Sequence, residues 1–250
     1  MAGQTLLVGM AHPDDEVGAA GTILAQRARG DRVVIVWLTR GEMTEAFGPI
    51  PTSEVARIRE EHGRVAGEIL GAETRFLDLP DTGVVASPEN ARRVAHLIAE
   101  IQPDAVLTWG DAWGRGMRHP DHQASGKIFR DAITLGRIAK IVGPAAPHRG
   151  AVPVFTYRGA HSALPEVVVD VEPYLDAIAR LAGFYRERIG FGDRAWLEAR
   201  LRNQGAPHGL RYAEVYDAWE TAPGIYPTLL PAPTADGEHK HPDREEETTL

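Results

Sequence analysis

The segment His12-Pro13-Asp14-Asp15-Glu16 places one imidazole and three carboxylates side by side. Neighbouring carboxylates oppose one another's ionisation, and a divalent cation removes that conflict because it favours deprotonated ligands. His12 and Asp15 are three residues apart near a predicted helix start, so both could chelate one ion from the same side. An isolated aspartate here would more often cap the helix. Pro13, set among a histidine and three acids, favours the metal site instead.

A second cluster, His119-Pro120-Asp121-His122, follows a glycine-rich loop much later in the chain. Two histidines at this spacing suit both metal binding and acid–base chemistry. His12, Asp15 and one of these two histidines would leave a fourth position for water, as in catalytic zinc sites. The chain contains no cysteine, so any metal must be held by His, Asp or Glu.

Alternating strands and helices are predicted to position the two clusters. Apolar runs at 5–10 and 32–38 flank a helical segment at 17–29, which indicates a βαβ unit. The pattern continues along the chain with helices at 53–70 and 88–101, strands at 75–77 and 105–109, a helix from His122 to about 141, further strands at 152–157 and 167–171, and helices at about 173–188 and 194–203. The predicted fold is α/β, a Rossmann-like open, mostly parallel sheet with helices on both faces. The two clusters meet at one sheet edge if the first strand lies beside the fourth.

The length of 250 residues fits one catalytic domain, predicted over 1–222, followed by a Pro- and Gly-containing acidic tail over 223–250. The net charge is −8, of which −4 falls in residues 231–250, and the tail is expected to be disordered from about 231. No basic stripe is present, so nucleic acid is not an expected partner. We expect no membrane span and a cytoplasmic location. Whether the chain forms a homo-oligomer is left open.

The two motifs together resemble those of the LmbE / PIG-L family of metal-dependent de-N-acetylases. Supporting matches are Val17-Gly18-Ala19-Ala20-Gly21, Leu38-Thr39-Arg40-Gly41-Glu42 and Tyr212-Ala213-Glu214, and the similarity runs over about residues 4–217. One departure is His62, where family members often carry Glu; it is predicted at the surface or half-buried. Glu214 is expected either to support a histidine or to pair with an arginine.

The resemblance implies a role for each residue of the two motifs. It implies that His12, Asp15 and His122 ligate Zn²⁺, with Fe²⁺ as the alternative metal. Asp14 is then the general base for the metal-bound water, and His119 is the general acid or the positive group facing the tetrahedral intermediate. These roles agree with metal-assisted hydrolysis in general.

Three further residues are expected to contact the substrate. The resemblance implies that Arg59 anchors a hydroxyl or an anionic group. Trp113, in the glycine-rich loop, is a candidate platform for a sugar ring. Arg118, at the end of the same loop, is a further candidate contact.

The sequence therefore predicts a zinc-dependent hydrolase that removes the acetyl group from an N-acetylated amino sugar or sugar conjugate. One alternative is an amidase that acts on another amide, such as a thiol-sugar conjugate. A second alternative, from a different class, is a non-catalytic carbohydrate-binding module, which would need neither Asp14 nor His119. A dinucleotide enzyme is disfavoured because the turn after the first strand lacks the G-x-G-x-x-G pattern.

Overall fold

An eight-stranded sheet forms the centre of the protein in the computed structural model, which describes residues 3–114 and 118–232. Its strands, in chain order, are β1 Thr5–Met10, β2 Arg32–Trp37, β3 Glu73–Phe76, β4 Ala105–Trp109, β5 Val154–Tyr157, β6 Glu166–Asp170, β7 Ala213–Ala218 and β8 Gly224–Tyr226. Side by side they follow the order β3-β2-β1-β4-β5-β7-β6-β8. Among the described residues, β7 alone runs antiparallel to its neighbours, β5 and β6. The predicted α/β class with a mostly parallel sheet is confirmed.

The first strand lies between the second and the fourth, and both pairings are parallel. Val8 of β1 stands opposite Leu107 of β4, which confirms the predicted neighbourhood of these strands. The order in which the chain adds strands reverses here, and open α/β sheets bind ligands outside the carboxyl ends of their strands at such a reversal. The residues that follow Met10 and Trp109 therefore meet at one edge of the sheet.

Helices cover both faces of the sheet. They are α1 Ala20–Ala28, α2 Thr52–Leu70, α3 Pro88–Ile101, α4 Pro120–Gly136, α5 Ala139–Val142, α6 Leu175–Ile189 and α7 Arg194–Gly205. Leu6 and Val8 of β1 pack on the side of α1, α2, α6 and α7, whereas Leu7 packs on the side of α3, α4 and α5. Side chains alternate between the faces of a strand, and burial on both faces explains why β1 and β2 are apolar almost throughout.

The structure differs from the prediction in the connections and near the carboxyl end. A 3-10 turn over Asp15–Ala19 precedes α1, and the helix predicted from His122 to about 141 is divided between α4 and α5. β7 and β8 are not among the predicted elements. Since β8 pairs with β6 and both Leu229 and Leu230 are buried, the sheet and its core extend beyond residue 222, the predicted domain end. The tail predicted to be disordered falls, from 233 onward, outside the described residues.

No helix in the described ranges is long and apolar enough to cross a membrane.

Candidate metal centre and active site

The turn after β1 is organised by the carboxylate of Asp15. Its Oδ2 accepts hydrogen bonds from the backbone N–H groups of Ala11 and His12, at 3.0 and 2.9 Å. These bonds close the turn and fix the carboxylate at the carboxyl end of the strand. Its other oxygen, Oδ1, lies 3.1 Å from Nε2 of His122, and Oδ2 lies 3.7 Å from Nδ1 of His12. Asp15 thus bridges the two histidines predicted to be its fellow metal ligands.

Helix α4 brings the second motif to the same edge. His119 is the N-cap residue, and its Nδ1 accepts a hydrogen bond from the backbone N–H of Asp121 at 3.3 Å. His122 stacks on the Trp109 ring at the end of β4, with centroids 3.8 Å apart and planes 8° from parallel. Helix α4 can lie this close to the end of β4 because residue 126 is glycine. A Cβ at that position would collide with the Trp109 carbonyl.

Two further carboxylates surround His12. Its Nε2 lies 3.1 Å from Oδ1 of Asp81 and 3.1 Å from Oδ2 of Asp121. Asp121 is itself fixed, because its two oxygens accept the backbone N–H groups of Thr82 and Val84, at 2.7 and 3.1 Å. Carboxylates that hold one imidazole nitrogen orient the ring and select its tautomer. With Nε2–H directed at these acids, Nδ1 is the nitrogen left facing Asp15.

The donor set suits a divalent cation. Within the described residues, two sets offer one ligand atom each with all atoms inside 4.8 Å of one another: His12, His119 and His122; and His12, Asp81, His119 and Asp121. Asp15 belongs to neither set but lies at hydrogen-bond distance from His122. Nitrogen and carboxylate oxygen donors concentrated at one buried edge fit Zn²⁺, and also Fe²⁺. A donor cluster that could hold a metal ion therefore lies at the predicted place, whereas the ligand set His12, Asp15 and His122 stays a prediction.

Asp14 lies beside the metal donors and is bound by Arg59. Its Oδ2 accepts a hydrogen bond from Nη2 of Arg59 at 2.6 Å, and the same nitrogen also bonds the Pro13 carbonyl. The Arg59 side chain is buried, and its Nε and Nη1 have no hydrogen-bond partner among the described residues. Arg59 therefore anchors the predicted base, and it borders the cavity.

Burial and the local charges shift the pKa values of these groups. Burial raises the pKa of Asp14, and Arg59 opposes this in part, so that the pKa is about 6. Burial alone would lower the pKa of His12, but its bonds to Asp121 and Asp81 outweigh burial and raise the pKa to about 10. Burial alone would raise the pKa of Asp15, yet His122 and His12 hold it below its usual range. Strongly perturbed groups clustered in a cleft are typical of functional sites.

A cavity of about 550 Å³ opens above these residues. Its lining includes His12, Asp14, Asp15, His119 and His122, which the two motifs supply, together with Arg59 and Trp113. Trp113 donates from Nε1 to the Tyr157 carbonyl at 3.2 Å, and the Arg118 guanidinium lies over its ring, 4.9 Å from the centroid. All eight predicted site residues are therefore found at or next to one cavity. Their individual roles stay predictions.

Sequence reasoning missed two acids at the site and misplaced two other residues. Asp121 could have been noticed, since it lies inside His119-Pro120-Asp121-His122, whereas Asp81 lies in the loop after β3 with no motif around it. His62, predicted at the surface or half-buried, is 6% exposed. Glu214 neither supports a histidine nor pairs with an arginine: it accepts the backbone N–H groups of Gly21 and Thr22 and the Tyr216 hydroxyl. It therefore caps the start of α1 from β7.

The sheet is Rossmann-like and carries histidines and aspartates at its strand reversal. The protein is therefore of the α/β class, with a cluster at the sheet edge that could hold a metal ion. The family model described as PIG-L, GlcNAc-PI de-N-acetylase, matches residues 7–133. The match spans both motifs and half of the chain, and the protein belongs to this family.

Two relatives matched by sequence are named as deacetylases of N-acetylated sugars. The chain is 36% identical over 135 residues to the probable N-acetyl-alpha-D-glucosaminyl L-malate deacetylase 2 of Bacillus anthracis, covering 51% of this chain and 58% of the relative. It is 29% identical over 215 residues to the 1D-myo-inositol 2-acetamido-2-deoxy-alpha-D-glucopyranoside deacetylase of Kineococcus radiotolerans, covering 64% and 59%. The chain thus spans about three fifths of the length of these two relatives.

A solved structure shares the overall fold. The N,N'-diacetylchitobiose deacetylase of Pyrococcus horikoshii superposes with a TM-score of 0.76 at 23% identity, covering 86% of this chain and 84% of that one. At this identity the likeness extends to the architecture alone.

Proposed function

We propose that this protein is a metal-dependent hydrolase that removes the acetyl group from an N-acetylated amino sugar or sugar conjugate. The observation that carries the proposal is the meeting of Asp14, Asp15 and three imidazoles on the floor of one cavity. Family membership and the names of the relatives support the same reaction class.

His12, Asp15 and His122 would hold the metal, with Zn²⁺ as the proposed ion and Fe²⁺ as the alternative. A bound divalent ion of this kind polarises an amide carbonyl and makes water a better nucleophile near neutral pH. The protein's own groups then have to move two protons, one away from the attacking water and one onto the departing nitrogen.

In this proposal Asp14 accepts the first proton. Its carboxylate borders the cavity and is held by Arg59, so the acceptor oxygens keep one orientation. A positioned carboxylate of this type contributes about 10²–10⁴-fold as a general base. Arg59 also keeps the charge of Asp14 balanced next to Asp15.

In this proposal His119 donates the second proton. Because its Nδ1 accepts the Asp121 N–H, the neutral ring carries its proton on Nε2. To act as the acid the ring first takes up a second proton, and the imidazolium then gives its Nε2 proton to the sugar nitrogen as the C–N bond breaks. The ring returns to neutral imidazole, and acetate and a free amine are released. His119 borders the cavity together with Asp14, so both groups are available to the same substrate.

The test is release of acetate and of a primary amine from N-acetylglucosamine and its glycosides, with protein loaded with Zn²⁺ or Fe²⁺. A chelator-treated sample and the Asp14→Asn variant are the controls. We expect turnover with metal and loss of at least about 100-fold in the variant. Hydrolysis of bulkier amides in preference to the N-acetyl sugars would favour the amidase alternative. Sugar binding without release of acetate by any metal-loaded sample would contradict the proposal.

A further inference from the structure

One wall of the cavity is built by a single face of α7. Trp196, Arg200 and Gln204 all border the cavity, and their spacing of four residues places them on one side of the helix. Leu197 and Leu201, on the adjoining side, are fully buried and fix the helix to the core. The helix start is also fixed, since Asp193 accepts the Trp196 backbone N–H at 2.7 Å. This wall is therefore a rigid surface whose outward side chains face the cavity.

The wall exposes aromatic surface. Trp196 is 45% exposed and Phe191, just before the helix, is 38% exposed. Their rings meet edge to face with centroids 5.7 Å apart, and Phe191 also borders the cavity. Large apolar side chains left exposed together at the rim of a cavity mark a ligand-binding surface.

Arg200 adds a positive charge to the same wall. Its Nη2 donates to the Gly18 carbonyl at 3.0 Å, and its guanidinium carbon lies 5.9 Å from the centroid of the Trp196 ring. The other two arginines that line the cavity are paired with acids, Arg59 with Asp14 and Arg158 with Asp217. Within the described residues, Arg200 forms no ion pair with a carboxylate. A cation held in place without an acidic partner is suited to bind an anion.

We propose that Phe191, Trp196 and Arg200 form a subsite for a second group of the substrate, an aromatic ring that carries a carboxylate. The ring stacks on the aromatic pair and the carboxylate pairs with Arg200. The cavity volume of about 550 Å³ lies in the range of roughly 300–1,000 Å³ that holds drug-sized ligands, so it accommodates this group beside the sugar. The inference rests on the proposed deacetylation and names the substrate class: anionic aryl conjugates of N-acetylglucosamine.

Three glycosides of N-acetylglucosamine distinguish the effect of the carboxylate charge from the effect of the aromatic ring. They are the 4-carboxyphenyl glycoside, the neutral and nearly isosteric 4-carbamoylphenyl glycoside, and the methyl glycoside. For the unmodified protein, kcat/KM should be about tenfold or more higher for the carboxyphenyl than for the carbamoylphenyl glycoside. Arg200→Gln should bring this ratio to about one, and Arg200→Lys should retain part of it. Trp196→Ala should lower the preference for both aryl glycosides over the methyl glycoside.

Arg202→Gln is the matched control, because it removes the same charge from the same helix at a side chain that is 55% exposed and bonded to the Tyr212 hydroxyl. It should keep the carboxyphenyl preference. Equal kcat/KM for the two aryl glycosides, or a preference that Arg200→Gln does not change, would overturn the subsite. The deacetylase proposal would still hold in that case, provided that acetate is released.

Calorimetric binding of the 4-carboxyphenyl glycoside to metal-free protein tests the subsite without turnover. The subsite is supported if binding weakens by about tenfold or more in Arg200→Gln but not in Arg202→Gln. This result would stand even if no acetate were released and the deacetylase proposal were wrong. Absence of binding, or binding that is the same in both variants, overturns the subsite.

Discussion

The buried carboxylate of Glu16 accepts a hydrogen bond from the backbone N–H of Asp14, with an N–O distance of 2.9 Å. Asp14 has φ 120° and ψ −21°, a backbone conformation that a residue with a side chain rarely adopts. The same Glu16 carboxylate accepts Trp37 Nε1 at 3.2 Å and the Tyr185 hydroxyl at 2.7 Å. Glu16 thus ties the strained residue to β2 and α6, and we infer that it positions Asp14 without touching the substrate.

Glu16→Ala should therefore impair catalysis more than binding. It frees Asp14 to relax and leaves buried donors unpaired, at a cost of about 1–3 kcal/mol for each. We expect kcat to fall by about tenfold or more with a smaller change in KM, and the urea midpoint to fall. Glu16→Gln is the matched control: its carbonyl can accept Asp14 and Trp37, and its amide can donate to the Tyr185 oxygen, so kcat should recover. A less stable alanine variant with an unchanged kcat would show that Glu16 is structural only.

Asp121 should control metal affinity through His12. It holds His12 Nε2 while two backbone N–H groups fix its own carboxylate. Asp121→Asn introduces an amide N–H₂ among these donors, so we expect metal affinity to fall by about 10–100-fold. Competition with a chromogenic chelator measures this, and Asp131→Asn, an exposed change on the same helix, is the control. Complete loss of the metal would instead identify Asp121 as a direct ligand.

The third metal ligand can be assigned by comparing Asp15 with His119. The geometry supports both, since Asp15 Oδ1 lies 3.1 Å from His122 Nε2 while His119 converges with the other two imidazoles. If His12, Asp15 and His122 hold the ion, Asp15→Asn loses metal and activity together, whereas His119→Gln keeps the metal and loses activity. Elemental analysis of both purified variants decides between them. A metal-free His119→Gln protein that retains its fold by circular dichroism would contradict the predicted assignment.

The sequence was sufficient for the parts of this structure that depend on local pattern. The apolar runs gave β1 and β2, and the two short motifs gave the residues at the sheet edge, because strand ends and turns are encoded close to the residues they position. Asp81 and Glu214 could not be found in this way. Asp81 meets His12 across 69 positions, and Glu214 caps α1 from β7 across 193. Such pairings depend on strand order and packing, which no local pattern specifies.

Helix α7 illustrates the same limit at the substrate side. Its sequence shows a helix, but nothing in it distinguishes the cavity-facing Trp196 and Arg200 from the ion pair of Arg194 and Glu198. The distinction appears only when Leu197 and Leu201 are seen to pack into the core. Substrate specificity was for this reason the least predictable part of the site.

His62 should make the protein less stable in acid. It is 6% exposed and meets the Phe184 ring edge-on, at 5.4 Å between centroids. Burial, together with the charges of Arg59 and Arg188, lowers its pKa from 6.5 to about 4. Between these values the unfolded chain binds a proton that the folded chain does not. The contribution of His62 to stability is therefore complete above about pH 6.5 and falls as the pH drops towards 4, by at most about 1.4 kcal/mol per pH unit.

His62→Gln should reduce this slope in urea titrations from pH 7 to 4.5. His161→Gln, at an exposed position, is the control that tests whether the change is specific to the buried ring. Identical slopes for the His62 variant and the unmodified protein would show that His62 does not contribute to acid sensitivity.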